Sequence, residues 1–187
     1  MNTKWLLILL LFVVSCSPAP ENNESPLTAE TPEANRVSFA DGRVSFVPPP
    51  GFQSLTQEQI EKKYPNANAP QHVFANETQS VSVAVNFSPA RISPSQLPGL
   101  KESLEQAFSR MTPGLQWQTK EFLEINGTRW IHFKFTSNAI DTEIQNDMYV
   151  TSFDGKALFF NFNSTVGEYE EAKSILEESV NSIKVRQ

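Results

Sequence analysis

The sequence predicts an α+β domain: an α/β/α sandwich in which one antiparallel sheet lies between layers of helix. Three observations predict it. From Leu115 to Asn163 four strand-like runs follow one another, joined by Asn126-Gly127, by a loop at 138–142 and by Asp154-Gly155. Asn-Gly and Asp-Gly tolerate the two positive φ angles of a type I′ turn, whose twist matches that of paired strands. Written out from those turns, Glu124 faces Arg129, Leu123 faces Trp130, Phe122 faces Ile131, Glu121 faces His132 and Lys120 faces Phe133. In the second hairpin Val150 faces Phe159, Tyr149 faces Phe160 and Thr151 faces Leu158. Side chains alternate between the faces of a strand, so Phe122, Ile131, Phe133 and Phe135 fall on one side and Trp117, Leu123 and Trp130 on the other. A sheet with water on one side would carry a polar second face; this one needs cover on both. Finally, two long amphipathic segments and one short one supply that cover.

In chain order, residues 1–15 read as a signal peptide. Lys4 precedes the apolar run Trp5 to Val14, whose ten residues span about half of a roughly 30 Å hydrocarbon core, too little for a crossing helix. Residues 16–36 hold four prolines and four glutamates with almost no large apolar group, and read as a disordered tether reaching on the order of 25 Å. The domain is expected over 37–187. Val37 to Ala40 and Arg43 to Val47 flank Asp41-Gly42 as a hairpin, which Pro48-Pro49-Pro50 terminates. Thr56, with Gln59 three residues on, has capping-box spacing for a short helix to Lys63. His72 to Ala75 and Ser80 to Phe87 are strands, with Val81, Val83 and Val85 on one face. A helix from about Ser95 to Met111 carries the stripe Leu97, Leu100, Leu104, Phe108 and Met111. A last helix from about Val166 to Ile183, capped by Thr165 or Ser164, buries Tyr169, Ala172, Leu176, Val180 and Ile183.

Composition narrows the function classes. The chain has 187 residues with 39% hydrophobic, 14 Phe and only 7 Gly, which fits a globular sheet-containing body of roughly 150 residues. Formal charge is −6, and no Lys or Arg cluster along the sequence offsets it, so nucleic acid is not an expected partner. Cys16 is the single cysteine; intrachain disulfides and cysteine-based zinc sites are excluded.

Val13-Val14-Ser15-Cys16 resembles the bacterial lipobox. That resemblance implies that the Cys16 thiol receives a diacylglycerol, that the leader is cut before it, and that the new amine takes an acyl chain such as palmitate. Several buried acyl chains, at about 0.8 kcal/mol per CH₂, hold a protein on the membrane. The alternative is an ordinary signal peptide with a cysteine near its cut. Ser17 is not the aspartate that retains many such proteins in the inner membrane, which favours the outer membrane in a Gram-negative host.

The order of elements resembles a second family. A strand, the break Pro50-Gly51-Phe52, a short helix, two strands, a long helix, a meander with Asn126-Gly127 and Trp130, and a closing helix ending at Ser182-Ile183-Lys184-Val185 are similar to the PsbP-like and DcrB-like superfamily. The resemblance covers about Val37 to Val185 and implies the same sandwich and a non-catalytic role in the envelope or in larger complexes. No functional site of that family matches residue by residue.

The chemistry the residues could carry is sparse. His72 and His132 are the only histidines. His132 opposite Glu121 could be half of a proton-transfer or metal site, or a cross-strand polar pair; zinc would need three or four ligands, and no metal or cofactor is expected. Hydrolase motifs G-x-S-x-G and S-x-x-K are missing, as are phosphate-cradling glycine loops. Trp117, Trp130, His132 and Tyr149 remain as a possible binding surface, the alternative being core beneath a helix. The expected function is a lipid-anchored, non-catalytic module of the bacterial cell envelope that binds or assembles a protein partner there. A small-ligand or lipid carrier and a carboxylate-based glycan hydrolase stay open beside it.

Overall fold

The computed structural model describes residues 32–65, 69–139 and 141–187; the leader, Cys16 and most of the tether lie outside them. A 3-10 turn at Pro32–Asn35 leads into a hairpin of β1 (Val37–Phe39) and β2 (Val44–Phe46). Between them Asp41 and Gly42 take φ angles of 54° and 78°, which a short side chain or none tolerates. After the prolines come β3 (Gln53–Ser54) and α1 (Gln57–Lys63). The capping box forms: the Gln59 N–H donates to Thr56 Oγ1 at 3.3 Å and the Thr56 N–H donates to Gln59 Oε1 at 2.8 Å. β4 (His72–Ala75), β5 (Val81–Arg91) and a 3-10 turn at Pro94–Gln96 precede α2 (Leu97–Met111). The meander follows as β6 (Gln116–Ile125), β7 (Thr128–Asn138), β8 (Glu143–Phe153) and β9 (Lys156–Thr165). α3 (Val166–Asn181) and β10 (Lys184–Val185) close the chain.

Seven strands form one antiparallel sheet in the order β3-β4-β5-β9-β8-β7-β6. β9 joins the halves, with Val83 opposite Phe162 and Val85 opposite Phe160. Every cross-strand pair expected from the two turns is present. On one face α3 lays Ala172, Leu176 and Val180 over Trp130, Phe160 and Phe162. Beside α3, β1, β2 and β10 form a second, three-stranded sheet whose Val44 and Phe46 complete that core. On the other face α2 covers Ile131, Phe133, Phe135 and Val150, and α1 sets Ile60 over Val73 and Ala84. Both sides of the β-layer are therefore sealed against water, as its two apolar faces require.

Several expectations need correction. Trp117 does not share a face with Leu123 and Trp130. The register slips between Trp117 and Thr119, so that Trp117 faces Phe135; the extra residue of a bulge sends every side chain beyond it to the opposite face. Met111, placed in the apolar stripe of α2, is 79% exposed. α2 begins at Leu97, the residues before it forming the 3-10 turn, and α3 ends at Asn181, with Ile183 buried just beyond it. Thr165 occupies the N-cap of α3 without a side-chain hydrogen bond.

Candidate functional site

The four candidates from the sequence do not share one surface. His132 sits on β7 between Glu121 of β6 and Tyr149 of β8. Its Nε2 lies 2.6 Å from Asp147 Oδ1 and its Nδ1 3.4 Å from Glu121 Oε1. The imidazole stacks on Tyr149 with centroids 4.7 Å apart. Burial, reinforced by the Asp147 charge, pushes the Tyr149 phenol well above its ordinary value. Next to them the Lys134 ammonium donates to Tyr169 Oη at 2.5 Å. Burial opposes the charge on Lys134, but the Tyr169 bond and the field of Asp147 outweigh it, and the pKa is raised. Each charged group in this cluster is answered by a partner within it. Trp130 lies beneath as core, 0% exposed and against Phe160. Trp117 is across the sheet among Phe108, Phe133 and Phe135. Among the described residues no three His, Cys, Asp or Glu side chains are placed to hold a metal ion.

Open space lies elsewhere, at the carboxyl end of α3. A cleft of about 740 Å³ runs between the loop Pro48 to Gly51, the last turns of α3 from Ile175 to Ser182, and Asn126. Asn35 and Arg36, the end of the tether, line its entrance. Its walls are fastened by backbone groups. Ser179 Oγ donates to the Val47 carbonyl at 2.7 Å, the Val47 N–H donates to Ser182 Oγ at 2.7 Å, and Arg36 donates to the Ser182 carbonyl at 2.9 Å. Asn126, at φ 48° in its turn, donates Nδ2 to the carbonyls of Asn181 and Ile183, both at 2.8 Å. The first is a carbonyl that the helix end leaves without an intrahelical partner, and the second follows just beyond it. The same residue thus makes the β6–β7 turn and caps α3.

Pyrrolidine rings and Ile175 give the cleft an apolar wall, and serine, asparagine, Glu178, Arg36 and Lys184 give it a polar rim. Its volume is that of a site for a drug-sized molecule or a few side chains of a partner. The serine hydroxyls are engaged with backbone, neither histidine lines the cleft, and Glu178 is its one carboxylate among the described residues, whereas glycan hydrolysis needs a facing pair. Sequence reasoning missed this site because Pro48 to Pro50 reads as a strand stop, and nothing local says that α3 ends beside it.

The same architecture exists among solved structures. Cyanobacterial PsbP (CyanoP) from Synechocystis sp. PCC 6803 superposes with a TM-score of 0.55 at 15% identity, over 81% of this chain and 91% of that one. The fold is PsbP-like. LpqN, described as involved in cell envelope biogenesis of Mycobacterium tuberculosis, shares this PsbP-like architecture with a TM-score of 0.54 at 12% identity, over 80% of this chain and 89% of its own. A Bacteroides thetaiotaomicron protein matches with a TM-score of 0.53 at 12% identity, over 82% of this chain and 48% of that one. No protein-family model matches the chain, and no curated protein matches it. What is common at these identities is the PsbP-like frame.

Proposed function

We propose that this is a lipid-anchored protein of the bacterial cell envelope whose PsbP-like domain binds another envelope component without catalysis. The observation that carries the reading is the cleft at the root of the tether, apolar on one wall and rimmed by serine, asparagine and the charged groups of Arg36, Glu178 and Lys184. A binding cleft at the point where the body hangs from its anchor meets partners in the same layer. The lipobox at Cys16 supports the anchor, Ser17 supports the outer membrane in a Gram-negative host, and the fold shared with LpqN supports the envelope. No described helix is long and apolar enough to cross a membrane.

A photo-crosslinking residue in place of Ile175 tests the proposal in the native cell. One discrete protein adduct is expected there and none from the same probe at exposed Met111; matching patterns, or no adduct at Ile175, would overturn it. Mass analysis of the mature amino terminus tests the anchor separately, and an acyl-free Cys16 would remove it. The cleft volume also admits a small apolar ligand, for which native mass spectrometry of the purified protein would find a bound mass lost on Ile175→Asp.

A further inference from the structure

The two edges of the seven-stranded sheet are finished differently. β3 ends one side with two residues, whereas β6 ends the other with ten, Gln116–Ile125. A long edge strand offers a row of backbone N–H and C=O groups to any strand that can pair with it. Which groups face outward follows from the hairpin. Asn126 and Gly127, at φ 48° and 78°, form its two-residue turn, and the flanking residues Ile125 and Thr128 are a hydrogen-bonded pair. Bonded and non-bonded pairs alternate along an antiparallel ladder, so Leu123 and Glu121 are the next residues bonded to β7. Lys120, Phe122 and Glu124 turn their backbone groups to the open edge, where no described strand pairs with them.

This row is symmetric. The regular part of β6 is bounded by the bulge at Gln118 and by the turn at Asn126, and Phe122 lies midway between them. Laid antiparallel to a copy of itself with Phe122 opposite Phe122, the strand sets Lys120 opposite Glu124 at both ends. Opposite charges directly across a ladder attract and like charges repel. Centring the pair on Lys120 would set lysine against lysine, and centring it on Glu124 glutamate against glutamate; only the register centred on Phe122 joins opposite charges. The side chains are placed for it. Glu124 is exposed. Phe122 is half-buried, with the Arg129 guanidinium 4.2 Å from its ring centre. Lys120 is steadied by Glu105 at 3.3 Å and by the Trp117 ring at 5.3 Å, yet its side chain stays 39% exposed.

We infer that β6 is a self-pairing edge, through which two copies of this chain join their sheets into one across a twofold axis. The contact is isologous, the same patch meeting itself. Its axis stands normal to the sheet, so both α3 faces, and with them both small sheets where the tether enters, lie on the same side. Two copies hung from one bilayer are thus oriented to pair without either turning over. The pairing itself draws on neither the anchor nor the cleft, and its test leaves both readings standing or falling by their own experiments.

The full chain, purified in detergent, is followed by sedimentation equilibrium. A reversible dimer is expected. Lys120→Glu and Glu124→Lys each put two like-charge pairs across the axis and weaken it about tenfold. The double variant Lys120→Glu/Glu124→Lys restores it, which loss of the Glu105 contact alone would not do. Glu77→Lys, exposed between β4 and β5, leaves the dimer unchanged. Hydrogen exchange reads the backbone. The amides of Lys120, Phe122 and Glu124 slow as protein concentration rises, whereas those of Glu121 and Leu123, already bonded to β7, keep their rates. A chain that stays monomeric, single variants that associate as the native protein does, or a double variant no tighter than the singles overturns the inference. Protection of the three amides at every concentration also overturns it, because the edge would then be covered within one chain.

Discussion

One face of the seven-stranded sheet is closed by helices alone, the other by a helix and a second sheet, and the two closures leave different things open. Under α2, Phe108, Trp117, Phe133 and Phe135 meet with ring centroids 5.2 to 6.3 Å apart, and side chains interlock without polar backbone between them. On the other face α3 and the hairpin β1–β2 must be joined to each other as well as to the sheet. That join is made of hydroxyls and carbonyls at Val47, Ser179 and Ser182. A cover built from two kinds of element brings backbone polar groups to its seam, and these must be satisfied there. The cleft between Pro48 to Gly51 and the last turns of α3 opens along this seam.

Truncation of a core ring on each face gives the strongest comparison. Trp130→Ala and Phe133→Ala, both fully buried in the native protein, should each cost about 3–5 kcal/mol in chemical denaturation. The faces should then separate in hydrogen exchange. Trp130→Ala is expected to speed exchange at the Val47 and Ser182 amides, whereas Phe133→Ala should leave them protected relative to global unfolding. Equal loosening of the seam by both variants would mean that the two closures are one cooperative unit.

The seam itself is probed next. Ser182→Ala removes the acceptor of the Val47 N–H and the donor to the Ser179 carbonyl at 2.6 Å, which should cost about 1–3 kcal/mol. Asn126→Gly keeps the positive φ of the turn and removes only the two cap bonds to α3, so about 1 kcal/mol is expected. If Asn126→Gly were as damaging as Ser182→Ala, the two Asn126 side-chain bonds would hold the end of α3 as firmly as the hydroxyl seam does.

What could be read from the sequence divides along the same line. The meander is legible because Asn126-Gly127 and Asp154-Gly155 set register locally, and the pairing they specify holds from Ile125 back to Thr119. It fails at Gln118, where the fit of Trp117 against Phe108 and Phe135 decides in favour of a bulge. Periodicity placed Leu97, Leu100, Leu104 and Phe108 correctly and Met111 wrongly, since spacing says which way a residue points and not where the layer beneath it ends. The cleft was illegible: its walls come from segments around 35, 50, 126 and 178 that share no local pattern.

The smallest expected effect lies at the far end of the seam. His72 on β4 packs against Phe39 of the small sheet with centroids 4.6 Å apart, and partial burial lowers its pKa from the ordinary 6.5. A lowered folded value means that the folded state favours the neutral ring. The stabilisation is therefore present above the unfolded value of 6.5 and is lost as pH falls through the folded one. His72 is mostly exposed, so screening keeps the effect small; a differential Tm on the order of 1 °C is expected. Thermal melts of the native protein and of His72→Gln across that range isolate it, because every other titrating group is common to both. The native protein should lose slightly more stability on acidification than the variant. Identical slopes would show that the contact between the two sheets is indifferent to charge, and the composite face would then be no more sensitive to pH than the face closed by helices.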